Sequence, residues 1–473
     1  MKKYVLLILV ALFSLSCQTN EQDISSIEND LLPTFYIQGE KPEPASLADR
    51  MEHYNVPGLS VAVFRNGTFG WAKGYGMADK ASNTPVTAQT LFQAASISKP
   101  IAAMAALDMA EDGIIDLDAD INEYLSSWKL KDNEFTTDEK VTLRRILNHT
   151  AGTTVWGFPG YERTDNIPNA VGVVSGQGNT DSVFVYKVPG VSWQYSGGGY
   201  TVMQIALSDA AQKPFEEIMA ERVLEPLSMH SSTYAQPLPD QLHDRAASGY
   251  RSDSSEIEGK WHVYPEQAAA GLWTNPTDIG RYAIAVQQAL EGSNEEVLNS
   301  ATVQEMLTPG DNNYGLGLGI RYDGSHFGHS GSNAGFRSDF AASKKGGNVV
   351  VIMTNSDSGS PLIAELMQAI FRHYGWPQLQ PTVKEKAALS EETLRSFVGK
   401  YQIAELGEIS IVFRDSGLVV PKENFIQTEI DLVPENDSTL FDASDGTPFH
   451  FTFRDGLPVG FEVQGLTGTR IEP

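Results

Sequence analysis

Two prolines, Pro377 and Pro381, divide this chain into stretches of different periodicity, and that division constrains the fold more than any other feature. Beyond them apolar residues recur at every second position: Ile409, Ile411 and Phe413, then Phe449, Phe451 and Phe453, then Val459, Phe461 and Val463. Such alternation marks strands with one buried face, so the tail predicts a small all-β domain. Ser390 is placed to cap a short helix ahead of it, with Leu389 and Leu394 at staple spacing. Length agrees, because single cores stop growing near about 250 to 300 residues and this chain has 473.

Ahead of the prolines, short strands, helices and Gly-rich loops alternate. Leu59 to Phe64 reads as a strand, Arg65-Asn66-Gly67 as a turn and Phe69 to Tyr75 as the return strand of a hairpin. Pro100 is tolerated only in a first helical turn, which places a helix start at Ser96 and its body in the Ala-rich run to Ala110, ending near Gly113. Asn348 to Thr354 reads as a fully buried strand.

The N-terminus has the pattern of an export signal: Met1-Lys2-Lys3, an apolar run from Tyr4 to Leu15, then Ser16-Cys17. The run is too short to span a bilayer. Cys17 is the only cysteine, so no disulfide forms within one chain, and Ser14-Leu15-Ser16-Cys17 resembles a relaxed lipobox with Ser14 where Leu is usual. Lipidation at Cys17 is therefore expected, with a membrane-anchored bacterial lipoprotein facing the periplasm or displayed on the cell surface. Residues 18 to about 33 are polar and acidic, as in a tether, and no fold is assigned to them. The expected organisation is signal 1–16, lipidated Cys and tether 17–40, main domain 41–376, linker 377–390 and β domain 391–473. A net charge of −26 argues against nucleic-acid binding, which needs a basic face.

Three stretches carry chemistry. Phe92 to Pro100 contains Ser96-Ile97-Ser98-Lys99, a Ser-x-x-Lys that brings hydroxyl and amine onto one face at a helix opening. A serine hydroxyl needs a base, and lysine serves only when its pKa is pushed below about 10.4. The helix N-terminus and the Ser96 N–H favour a developing oxyanion. Pro189 to Tyr200 places Tyr195 in a turn ahead of Gly197-Gly198-Gly199 and a helical stretch from Val202 to Ala211, where a phenolate could take and return a proton. Phe327 to Asn333 reads as a strand end in which Gly331 lets substrate approach the backbone and the Ser332 N–H faces it. A Ser-x-x-Lys, a lone tyrosine or a lone histidine would each be unremarkable by itself.

In this order the three stretches resemble the class C beta-lactamase, D-aminopeptidase and penicillin-binding-protein-like serine hydrolase family, which uses Ser-x-x-Lys, Tyr-x-Asn and Lys-Thr-Gly or His-x-Gly. Leu147 to Gly152 and Gly271 to Asp278 resemble two supporting segments, and the likeness covers roughly residues 45 to 375. It implies an α/β (α+β) fold: an antiparallel sheet flanked by helices plus a helical region, with the site between them. It also implies Ser96 as the acylated nucleophile, Lys99 and Tyr195 as shared base and acid, the Ser96 and Ser332 N–H groups as oxyanion hole, and His329 lining the substrate side. The tail resembles the lipocalin-like modules that follow such domains.

Two departures bear on substrate. Gly197 stands where the family often has Asn, and His329 where it often has Lys, removing a charge that could hold a carboxylate. Arg337 is a candidate to supply that charge, the commoner reading being an arginine that faces solvent or a structural carboxylate. The expected reaction is ester or amide cleavage of a small-molecule or peptide substrate, of esterase or D-amino-acid peptidase type rather than true beta-lactamase. The alternative is a sensor or binding protein that does not turn over. Gly328 to Ser332 approaches Gly-x-Ser-x-Gly but ends in Ser, and the scattered histidines and Gly-rich runs carry no metal, phosphate or dinucleotide pattern, so no cofactor and no metal are expected. The oligomeric state is left open.

Overall fold

The computed structural model describes residues 21–403, 406–423, 426, 429–463 and 466–472. The signal-like stretch 1–16 and Cys17 lie outside the described residues. The chain forms two compact units, one of residues up to Ser25 and Ala48–Ile363, the other of Ser26–Leu47 and residues from Ala364 onward.

In the first unit the Asn-Gly hairpin forms as the sequence predicts. Strands β1 (Gly58–Arg65) and β2 (Thr68–Asp79) flank Asn66 at φ 52° and Gly67 at φ 74°. They join β3 (Thr84–Pro85), β4 (Gly319–Arg321), β5 (His326–Asn333), β6 (Phe336–Ser343) and β7 (Val349–Thr354) in a sheet ordered β3-β2-β1-β7-β6-β5-β4. Strand β7, apolar throughout, is buried along its whole length, as a central strand requires. The short β4 pairs only with His326 to Gly328, leaving His329 to Asn333 without a strand partner on that side. The sheet thus has an open edge where the sequence placed Gly331 and Ser332.

Three helices matter for the site: α1 (Ser98–Glu111), α2 (Gly197–Ala211) and α3 (Pro276–Leu290). Helix α1 is buried on almost every face, which its alanines permit, and Pro100 lies in its first turn as expected. A 3-10 turn, Ala95–Ile97, precedes it. The triple glycine is not a loop ahead of α2 but its first turn. Ser196 caps that turn by accepting from Gly199 N–H at 2.9 Å, and the cap with the close packing there offsets the intrinsic cost of helical glycine, about 1 kcal/mol each.

The second unit carries a closed eight-stranded antiparallel barrel: β8 (Gly399–Ile403), β9 (Gly407–Arg414), β10 (Gly417–Val420), β11 (Ile430–Pro434), β12 (Thr439–Asp442), β13 (Pro448–Arg454), β14 (Leu457–Val463) and β15 (Leu466–Glu472). Phe397, Tyr401, Ile409, Leu440, Phe449, Phe451 and Phe461 are among the side chains packed in its core, as fits a barrel of this strand number. Ser390 caps the helix Glu391–Ser396 as predicted. Phe453 departs from the expected alternation: a register shift between Thr452 and Phe453 turns it outward. Two stretches expected to be irregular are ordered. Residues 21–28 are helical, Phe35–Ile37 pairs in parallel with Thr382–Lys384, and Ile27 and Leu31 are buried apolar residues within this polar stretch.

Candidate active site

Ser96 sits in the turn before α1, next to Ala95 in the left-handed region at φ 52°. A non-glycine residue there stores about 1 kcal/mol or more of backbone strain, which surrounding contacts must hold. Those contacts are local and specific. Ser338 Oγ donates to Ala94 O at 2.9 Å, Ala94 N–H to Leu272 O at 2.9 Å, and Asn333 Nδ2 to Gln93 Oε1 at 2.9 Å. Gly331 makes the approach possible, since a Cβ there would stand 2.1 Å from Ala94 O. The open edge of β5 and the turn carrying Ser96 are therefore stitched together.

Lys99 follows one helical turn on, only 2% exposed, its Nζ 3.1 Å from Ser96 Oγ and 2.7 Å from Ala269 O. Burial lowers its pKa to about 7. Tyr195 lies across the site, its ring centroid 5.0 Å from Lys99 Nζ. Burial pushes its hydroxyl above the usual range, with a hydrogen bond to Ser96 pulling the other way. Tyr195 is thus a neutral phenol at rest, not the phenolate that the sequence suggested.

His149 fixes that tyrosine, a role that sequence reading missed although it singled out the surrounding turn. Its backbone carbonyl accepts from Gln194 N–H at 2.7 Å and its Nδ1 from Ser196 N–H at 3.2 Å, so both neighbours of Tyr195 are held by one residue. The imidazole lies against the Tyr195 ring at 4.3 Å between centroids. Burial, with Lys99 and His329 nearby, holds His149 well below the ordinary histidine range, so it is neutral with its proton on Nε2.

His329 is also buried and neutral, its pKa lowered to about 3, chiefly by burial and further by Lys99. Its Nδ1–H donates to Ser330 O at 2.6 Å and its Nε2 accepts from the Tyr314 hydroxyl at 2.9 Å. Both nitrogens are spent within the protein, so His329 shapes the wall of the site but offers substrate no charge. Tyr314 and Tyr200 complete an aromatic floor that no spacing in the sequence signals. Arg337, a candidate for the missing cation, donates to Asn333 O at 2.8 Å and pairs with Asp357 at 3.0 Å. Ser332 is exposed on the open edge. Among the described residues no group of three or more His, Cys, Asp or Glu side chains could hold a metal ion.

The profile of the family described as Beta-lactamase matches residues 45–372. Protein flp of Staphylococcus aureus (strain MW2) is 24% identical over 337 residues, which are 67% of this chain and 64% of that protein. The chain thus spans under two thirds of the length of the relatives it matches first. Esterase EstB of Burkholderia gladioli is 25% identical over 322 residues, 59% of this chain and 80% of its own. Among solved structures, the octameric penicillin-binding protein homologue from Pyrococcus abyssi aligns with a TM-score of 0.62 at 19% identity, over 90% of this chain and 98% of that one, which shows the shared fold alone.

Proposed function

This chain belongs to the beta-lactamase family, and from that premise we propose that it is a serine hydrolase that cleaves esters or amides lacking a free carboxylate through an acyl-enzyme on Ser96. The observation that carries this reading is the buried Lys99, 3.1 Å from Ser96 Oγ and lowered to about 7 by burial, which leaves it able to accept the hydroxyl proton near neutrality. Ser96 Oγ attacks the carbonyl carbon, and the Ser96 and Ser332 N–H groups take the oxyanion. The proton then passes from Lys99 through Tyr195 to the departing oxygen or nitrogen as the bond to the acyl carbon breaks. Water attacks the acyl-enzyme by the reverse relay. His329 is neutral and Arg337 is paired, so neither offers a charge to a substrate carboxylate, and this favours substrates without one. The esterase name of one relative points the same way.

The test is hydrolysis of short-chain p-nitrophenyl esters, a chromogenic cephalosporin and D-amino-acid anilides by residues 18–473 and by Ser96→Ala. Ester or anilide turnover that disappears in the variant supports the reading. Efficient cephalosporin turnover would reverse the substrate class, and an adduct on Ser96 that never turns over would make the protein a sensor. Export and anchoring through Cys17 are part of the same proposal, resting on the N-terminal pattern. Fatty-acid labelling of cells expressing the full chain should mark it and leave Cys17→Ala unmarked.

A further inference from the structure

Beside Tyr195 the protein exposes a large aromatic side chain that nothing in the acyl-transfer machinery requires. Trp156 is 70% exposed, and its ring lies 5.8 Å from that of Tyr195 at an interplanar angle of 52°. Its backbone is firmly held: Trp156 O accepts from Gly197 N–H at 3.1 Å and Val155 O from Gly198 N–H at 3.0 Å, tying the segment to the first turn of α2 just after the tyrosine. The indole therefore projects from a fixed support.

Gly197 shows what this segment replaces. A Cβ at that position would meet the Phe158 ring at 2.8 Å and Trp156 O at 3.2 Å, so no amide side chain has room there. The wall on this side of Tyr195 is built from Trp156 and Phe158 instead. The segment is also tied to the backbone of Phe184. Thr154 N–H donates to Phe184 O at 2.9 Å and Phe184 N–H to Thr154 Oγ1 at 3.0 Å. With the antiparallel bridge of Thr153 and Val185, these bonds hold the chain just before Trp156.

We propose that Trp156 forms the leaving-group subsite of this enzyme and selects substrates whose departing alcohol or amine carries an aryl group. The inference rests on acylation at Ser96. Tyr195 hands its proton to the departing atom as the carbonyl carbon bonds to Ser96 Oγ and releases that atom, then regains a proton from Lys99. A shelf in contact with Tyr195 therefore lies on the departing side, whereas the acyl group runs along the open edge of β5. An aryl ring stacking on the indole gains contact and removes apolar surface from water.

The test uses two acetates whose alcohols are of similar acidity, benzyl acetate and methoxyethyl acetate, so that both give the same acetyl-enzyme. Wild type should prefer the benzyl ester in kcat/KM. Trp156→Ala should lower kcat/KM about 10-fold for benzyl acetate and less than about 2-fold for methoxyethyl acetate, and Trp156→Phe should recover most of the loss. A loss that is equal for both esters overturns the subsite. So does a Trp156→Ala effect confined to the acyl pair ethyl phenylacetate and ethyl acetate. A binding measurement decides the point without turnover: in Ser96→Ala, benzyl alcohol should shift the Trp156 indole N–H resonance, assigned by its absence in the double variant with Trp156→Phe, while methoxyethanol should not. Shifts without hydrolysis in wild type would sink the acyl-enzyme and leave the subsite standing. Hydrolysis without shifts would do the opposite.

Discussion

The barrel core is built from Phe397, Tyr401, Leu440, Phe449, Phe451 and Phe461, and the Tyr401 hydroxyl satisfies itself on Phe397 O at 2.8 Å. The first unit buries Lys99, His149, His329 and Glu266 in a far larger core, and among the described residues the Nε2 of His149 has no hydrogen-bond partner. Aromatic packing of the first kind stabilises without restriction on chemistry. Buried ionisable groups of the second kind cost stability and survive where they shift pKa values usefully. The contrast sets buried ionisable groups in one unit against aromatic packing in the other.

The sharpest break between the two is at Ser96. Ser96→Ala should lower ester turnover by about 10⁴-fold or more while leaving the thermal unfolding of both units unchanged. Tyr195→Phe should cost about 10³-fold in kcat, since the departing group loses its proton donor. In the remaining pH dependence, wild-type kcat/KM should rise with pH through about 7, because Lys99 acts only when neutral; an ascending limb near 10 would contradict the burial that lowers it.

His149→Ala should cost about 100-fold in kcat by releasing the turn that carries Tyr195, and His149→Asn, which keeps an acceptor for Ser196 N–H, should recover part of it. In the barrel, Phe451→Ala should destabilise its unit by about 3 to 5 kcal/mol and leave the turnover of folded enzyme unaffected. A drop in kcat there would show that the barrel takes part in the reaction.

The mildest effect concerns Glu266, fully buried and raised from 4.5 to about 8 by burial. A carboxyl whose folded pKa is raised contributes its stability below the unfolded pKa, and loses it as pH climbs through the folded value. Glu266→Gln should therefore match wild type in melting temperature near pH 4.5 and exceed it by a few degrees near pH 9. Equal melting at both would mean that a partner rescues the ionised carboxylate.

The sequence carried much of this. Alternation in the tail announced the barrel, Asn66-Gly67 the hairpin, and Pro100 the helix that sets Ser96 and Lys99 on one face, because these are short-range rules of pitch, turn and ring geometry. The helical triple glycine was not legible, since its helix depends on a Ser196 cap and on neighbours that leave no room for a Cβ. Nor was the strand Phe35–Ile37, which rests on pairing with Thr382–Lys384 far along the chain.

The site divides in the same way. By itself the sequence singled out Ser96, Lys99 and Tyr195, because the proposed chemistry needs residues of those types at that spacing. Tertiary structure alone decided their state: Lys99 near neutrality, Tyr195 protonated, His329 uncharged with both nitrogens taken, Arg337 paired, and Trp156 standing at the tyrosine. Burial and partner choice are properties of the assembled fold, summed over segments that the chain brings together from positions hundreds of residues apart.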